Sequence, residues 1–95
     1  MNIRRMTLDD LAQVVAIDKV SFSLPWPERS FRFEITDNPA SRAWVAEENG
    51  KVVGAIVAWL LVDEAHIATI ATHPDFRRQG IASKLLVHTL QSMMN

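Results

Sequence analysis

The sequence predicts an α/β chain of the α+β kind, in the order β-α-α-β-β-β-α, with a mainly antiparallel sheet. Three observations lead there. Asn49-Gly50 sits between two apolar stretches and marks a hairpin, because both residues tolerate φ > 0. Val52 to Val62 is an almost unbroken apolar run, the mark of a strand covered on both faces. Ile81, Ala82, Leu85, Leu86, Leu90 and Met93 give the last segment a helical apolar stripe.

Each element has a local cause. Asn2 to Met6 reads as a short strand. Thr7 suits a helix N-cap, and Asp10 three residues later completes a capping box, with Asp in place of the usual Glu. Leu8, Leu11, Val15 and Phe22 keep helical spacing while Val14 and Ile17 widen the face, so the first helix covers about Leu8 to Val20. Ser23-Leu24-Pro25-Trp26-Pro27 interrupts it, since two prolines around a tryptophan make a stiff loop. Pro27 suits the first turn of a second helix and Glu28 its positive end. Phe31 and Ile35 share a face of that helix, and Asn38-Pro39 ends it. Ala43 to Glu47 is a strand, with Trp44 and Ala46 on one face and Val45 on the other. Val52 to Val62 is long for a strand, so a bend or bulge is expected within it. Asp63-Glu64 is a polar break before His66 to Thr72. Such short turns make the three strands antiparallel neighbours. The last helix starts near Gly80 and ends just as the sequence stops at Asn95.

Residues 1–95 are short enough for a single domain, and 48% apolar residues is a globular composition. Ten Lys+Arg against eleven Asp+Glu leave a charge of −1, which gives no support to nucleic-acid binding through a net basic field. Without cysteine there is no disulfide framework, thiolate nucleophile or cysteine zinc site. The three histidines lack the spacing of a helical zinc motif, and no metal is expected. Arg4, Arg5, Asp9 and Asp10 break up any signal peptide, and the longest apolar run is short of the roughly 20 residues that span a bilayer. A soluble, cytoplasmic chain with no membrane or nucleic-acid partner is the expectation.

The chemistry concentrates between Thr69 and Ala82. An apolar strand enters a loop with Pro74, and then Arg77, Arg78 and Gly80 open a helix. A helix start presents free N–H groups to an anion, and the arginines add charge beside them. A Cβ at Gly80 would crowd a phosphate seated there. The same residues also fit a plain loop with a glycine helix start and solvated arginines. No nucleophile elbow or covalent triad is visible.

The stretch from Ile67 through Leu86 resembles the acetyl-coenzyme A motif of the GNAT N-acetyltransferase superfamily, Arg/Gln-x-x-Gly-x-Gly/Ala, which falls here on Arg77, Gly80 and Ala82. The resemblance extends upstream through Val53-Gly54-Ala55 to Ile3-Arg4 and covers essentially the whole chain. Leu24-Pro25-Trp26 followed by Phe31, and Asp63-Glu64-Ala65-His66-Ile67, are similar to the ribosomal-protein-alanine N-acetyltransferases, which acetylate protein N-termini.

This resemblance implies acetyl-CoA as acetyl-donor cosubstrate. Backbone groups of Ile70, Ala71 and Thr72 would face its pantetheine arm, one N–H polarising the thioester carbonyl. Arg77, Arg78, Gln79, Gly80, Ile81 and Ala82 would cradle its pyrophosphate. Leu24, Pro25 and Trp26 would face the acceptor, a peptide or protein N-terminus; Trp26 alternatively anchors the core between two helices. The family fold continues past the motif helix with another strand, another helix and a hairpin, so this chain is expected to be the N-terminal portion of the domain. The general base (a glutamate) and the general acid (a tyrosine) of this branch are expected beyond Asn95, and the chain holds no tyrosine. Its own catalytic residues are therefore unknown, with His66 as the stand-in base. Alternation puts His66 on a face with Ala68 and Ile70; the plainer reading is a structural histidine. His73 reads as solvated, His88 as helix surface, and Glu34 as either groove-facing or exposed.

An open edge on the strand from His66 to Thr72 predicts a homo-oligomer, through strand pairing or an exchanged terminal helix. The implied function is acetyl-CoA-dependent N-acetylation of an amine by direct attack on the thioester. A non-catalytic coenzyme A-binding or self-assembling remnant is the alternative, and an unrelated phosphate-binding domain a third.

Overall fold

Four strands pair in chain order to make one antiparallel sheet, and helices cover both of its faces. The computed structural model describes residues 1–94. Asn95 lies outside the described residues. The elements are β1 (Asn2–Arg5), a 3-10 turn (Leu8–Asp10), α1 (Leu11–Ser21), α2 (Glu28–Thr36), β2 (Ser41–Glu48), β3 (Lys51–Leu61), β4 (Glu64–Thr72), a second 3-10 turn (Pro74–Phe76) and α3 (Ile81–Met93). The predicted order and the antiparallel pairing are both present. Among the described residues no helix is long and apolar enough to cross a membrane.

Two cores meet at the sheet. Leu11, Val14 and Ile17 of α1 and Phe31 of α2 pack with Val45 and Val57 on one face. Ile81 and Leu85 of α3 pack with Ala46, Val53 and Ile56 on the other. β3 is the middle layer, buried from Val52 to Ala58, as its continuous apolar run predicts.

The first helix differs from its expected span, because its opening turn is 3-10. Asp10 explains the shift. Its carboxylate accepts the Thr7 N–H at 2.8 Å, as a capping box requires, and also takes two Arg4 hydrogen bonds at 2.8 and 2.9 Å. Arg4 reaches Glu47 of β2 as well, at 3.1 Å, so one guanidinium ties β1 to the turn and to the neighbouring strand. Burial alone would raise the Asp10 carboxyl, but Arg4 and the Thr7 N–H outweigh it and hold it below its ordinary value. The hydrogen bonds to Asp10 and Glu47 raise the Arg4 guanidinium in turn.

Two register shifts reset which side chains share a face. On β3, Gly54 pairs with Ala46 and Val52 with Glu47, which leaves Val53 as the extra residue. On β4, Thr69 pairs with Val57 and Ile67 with Ala58, which leaves Ala68. A bulge in β3 was expected; the one in β4 was not. It inverts the alternation, so His66 lies opposite Trp59 on the α1/α2 face while Ile70 lies opposite Ile56 on the α3 face. The expectation that His66 and Ile70 share a face is thereby corrected.

Three other side chains depart from their predicted environments. Thr89 is fully buried and donates to the Leu85 carbonyl at 2.7 Å, so the α3 stripe runs Ile81-Leu85-Thr89 and Leu90 points outward. His88 is half-buried, its ring 4.5 Å edge-on from Trp44. Glu34 is buried and accepts from the Trp59 indole at 2.7 Å and from Asn38 at 3.1 Å. Each polar group has a local partner that makes burial tolerable.

Gly54 sets how closely α3 approaches the sheet. A Cβ there would lie 2.8 Å from Ile81 Cγ2, 3.1 Å from Leu85 Cδ1 and 3.4 Å from the Ala71 carbonyl. Ile81 Cγ2 is fixed by β-branching and cannot swing away. Replacing Gly54 with Val should therefore cost about 1–3 kcal/mol of stability through overpacking, measured by urea unfolding. An unchanged midpoint would mean that α3 sits farther from β3.

Candidate functional site

The predicted site residues fall into two groups, one after the C-terminal end of β4 and one over its middle. The first follows its C-terminal end. The His73 N–H donates to the carbonyl of the bulged Val53 at 2.8 Å, so the bulge anchors the loop. His73 then caps the Pro74–Phe76 turn, its Nδ1 accepting the Asp75 N–H at 3.1 Å, and its ring lies edge-on to Phe76 at 5.5 Å. It is a capping residue, not a freely solvated one.

Beyond that turn the chain must reverse into α3. It does so through two left-handed residues, Arg78 (φ 66°) and Gly80 (φ 75°). The positive φ at the helix start is what demands glycine at position 80. A Cβ there would meet no protein atom within 4 Å, so the space in front of the helix is open. Gly80 supplies no side-chain cap, and the first-turn amides of any α-helix lack intrahelical partners. Ile81 is buried and fixes the helix to the sheet, while Gly80, Ala82 and Ser83 are exposed. Room, uncapped amides and neighbouring cationic side chains together suit a diphosphate.

The two arginines differ. Arg77 reaches back along the loop, with Nε 3.4 Å from the Thr72 carbonyl and Nη2 3.4 Å from Ser21 Oγ at the end of α1. Arg78 and Gln79 are exposed. Ile70, Ala71 and Thr72 are half-buried, and β4 pairs with β3 alone among the described residues. The other edge of that strand is therefore free for backbone hydrogen bonds.

The second group lies where the stiff loop after α1 folds over β4. A cleft of about 270 Å³ is lined by Asp18, Phe22, Leu24 and Trp26 on one side and Ala68 and Thr69 on the other. Trp26 anchors the core and also borders the cleft. It packs on the core beside Phe31, ring centroids 5.1 Å apart, and its remaining surface lines the cleft. Leu24 is 89% exposed at the rim, and Pro25 is exposed beside it. The bulged Ala68 brings the floor of the cleft to this face.

Asp18 was not singled out in the sequence. It is only 3% exposed, and its Oδ2 accepts the Trp26 N–H at 2.7 Å. Burial pushes its carboxyl above the ordinary value of 3.8, and the Trp26 hydrogen bond pulls it partly back. The signal for it was present: Leu11, Val14, Ile17 and Asp18 follow i, i+3, i+4 spacing, which puts a carboxylate on the apolar line of α1.

His66 is not among the residues lining this cleft. It stands near the open end of β4, with Nε2 3.0 Å from Glu64 Oε2. The structure thus places the proposed stand-in base beside a carboxylate but away from the loop residues it would serve. A larger cavity of about 610 Å³ lies between β1 and α3, lined by Lys84 and His88 among others. It adjoins the start of α3 through Ser83 but is lined by none of the predicted site residues. Among the described residues no cluster of three or more His, Asp or Glu is placed to hold a metal ion.

Comparison with known proteins adds to this geometry. Residues 11–95 match the acetyltransferase (GNAT) family. The chain is 35% identical over 83 residues to a Bacillus subtilis protein provisionally named [ribosomal protein bS18]-alanine N-acetyltransferase, covering 87% of this chain and 55% of that one. It is 28% identical over 93 residues to the [ribosomal protein bS18]-alanine N-acetyltransferase of Escherichia coli K12, covering 96% and 60%. The fold matches the crystal structure of the ribosomal-protein-S18-alanine N-acetyltransferase from Escherichia coli with a TM-score of 0.86 at 26% identity, covering 97% of this chain and 58% of that one. The chain thus spans between half and two thirds of the length of these relatives.

The buried Asp18 carboxyl has a definite effect on stability. Its folded-state value lies above its unfolded one, so its favourable contribution is complete below the unfolded value and is lost as pH rises through the folded one. Asp18→Asn keeps an oxygen for the Trp26 N–H but carries no charge. Relative to this variant the parent should lose stability as pH climbs above about 3.8 and through the raised folded-state value. Urea unfolding across pH checks this; a parent that gains on the variant as pH rises would contradict it.

Proposed function

We propose, on the premise that this chain belongs to the acetyltransferase (GNAT) family, that it binds acetyl-CoA at the start of α3 and takes part in acetylating the amino terminus of a peptide or protein. The observation that carries this reading is the uncapped start of α3 behind a left-handed Gly80, with open space in front of it. That the relatives are named as alanine N-acetyltransferases of a ribosomal protein supports the choice of acceptor. Acetyl-CoA would supply the activated acyl group as a thioester.

The chain's own residues would act as follows. Amides of Gly80, Ile81 and Ala82, with the Arg78 and Gln79 side chains beside them, would hold the pyrophosphate. Arg77 would brace the loop through Thr72 and Ser21. The free edge of β4 from Ile70 to Thr72 would align the pantetheine arm, with a strand N–H directed at the thioester carbonyl. Leu24, Pro25 and Trp26 would border the acceptor. An amine attacks only when neutral, so its proton must leave by water or a base. His66 is poorly placed for that task, and the glutamate and tyrosine that the family resemblance implies would lie beyond Asn95. The chain would form the N-terminal portion of such a domain, in a soluble cytoplasmic protein.

Calorimetry tests the coenzyme seat. Coenzyme A at a hundredfold over its dissociation constant should stabilise the parent by about 2.7 kcal/mol. Gly80→Ala adds a methyl where the phosphate would sit and about 1–2 kcal/mol of backbone strain, and should bind measurably but more weakly than the parent. Gly80→Glu adds the same strain and a like charge, and should bind no measurable coenzyme. Equal responses from the two variants would remove the site from α3.

The free edge of β4 supports a second reading, in which two copies pair there. Pairing and the pantetheine arm would then compete for the same backbone groups. Sedimentation at tens of micromolar should show a dimer that coenzyme A dissociates. A monomer in both conditions would eliminate the pairing and leave the coenzyme site standing.

A further inference from the structure

Two aspartates are buried in this protein, and they are satisfied in different ways. Asp10 carries a guanidinium: Arg4 holds both of its oxygens. Asp18 has only one backbone N–H, from Trp26. Among the described residues no Lys, Arg or His pairs with it. A carboxylate withdrawn from water without a cation is costly, and Asp10 shows what a purely structural solution looks like in this same chain. What distinguishes Asp18 is its position. It lines the 270 Å³ cleft between the Pro25–Pro27 loop and the bulge of β4, a space otherwise bounded by Phe22, Leu24, Trp26, Ala68 and Thr69.

We propose that Asp18 selects the acceptor, its carboxylate docking the protonated terminal amine of an incoming chain within this cleft. The ligand class is a primary ammonium at the start of a chain. Among the described residues lining the cleft Asp18 alone is ionisable, beside Phe22, Leu24, Trp26 and Ala68 and the hydroxyl-bearing Ser23 and Thr69. The exposed Leu24 and Phe22 at the rim are then available to the residues that follow. The Trp26 N–H keeps the carboxylate oriented, so that loop closure and cation recognition share one group. This assignment rests on the acceptor reading of the cleft given above. It concerns binding alone: the docked amine still has to lose its proton before it reacts, and Asp18 is not assigned that step.

The test uses a short peptide that begins with alanine, and its N-acetylated twin. Each is titrated into the parent chain and into Asp18→Asn, with backbone amide shifts, that of Trp26 foremost, as the readout. The parent should prefer the free amine by about tenfold, and Asp18→Asn should reduce that preference to about twofold or less. A parent that does not distinguish the twins, or a variant that keeps the preference, overturns the proposal. Should the variant fail to fold, the carboxyl carbon resonance of Asp18 in the parent decides: it must move with the free-amine peptide and stay still with the acetylated one. Coenzyme A titrated separately keeps the two readings apart. Coenzyme binding without peptide discrimination removes the role of Asp18 alone, whereas loss of coenzyme binding removes the acyl-donor site and leaves the peptide result to be judged by itself.

Discussion

The close approach of α3 to β3 governs the rest of the structure. Only a glycine at position 54 lets Ile81 and Leu85 descend onto the sheet, and Leu85 is fully buried there. Burying such a side chain is worth about 1.5–3 kcal/mol, and the fit sets the height and tilt of the helix start. Gly80 immediately precedes this anchor, so the open amides are held by the same packing that closes the second core. The start of α3 is therefore not a loop that happens to be exposed. It is the unburied half of a helix turn whose other half is locked into the sheet.

Much of this was legible in the chain. The Asn49-Gly50 turn, the long apolar β3 and the Pro25-Trp26-Pro27 loop each announce their geometry through residues with narrow conformational preferences, and each stands where expected. The glycine and arginines before α3 were readable for the same reason. Side-chain facing was less legible, because it depends on parity. A single extra residue at Ala68 inverts every assignment between it and the start of β4, and no local preference marks a bulge at an alanine. Partner choice was also hidden. Glu34 is buried because Trp59 and Asn38, distant and near in sequence, both donate to it, and Thr89 because its hydroxyl folds back onto Leu85. Propensity says nothing of such pairings. The carboxylate on the apolar line of α1 could have been found, since helical spacing alone exposes it.

The bulges do more than defeat simple alternation. That at Val53 turns a carbonyl toward His73 and so ties the loop before α3 to the middle strand. That at Ala68 sets the floor of the cleft under Trp26. Bulges recur beside functional sites because they redirect backbone and side chains without ending the strand. Here one serves the end of β4 that would hold the donor, and the other the side where the acceptor would enter.

The two ends are also joined by α1. Its last residue, Ser21, meets the Arg77 guanidinium, and Asp18 one turn earlier holds the Trp26 backbone. A displacement of the α1 terminus would thus alter both the loop before α3 and the cleft under Trp26. Arg77 illustrates the point: its reach toward Thr72 and Ser21 makes it a strut between the loop before α3 and the end of α1. Transfer between two bound groups depends on their relative placement, and misplacements on the scale of an ångström are expensive. A short strut from one side to the other is a direct physical means of fixing that placement, and it explains why an arginine occupies this loop position even though its charge is partly spent on the protein itself.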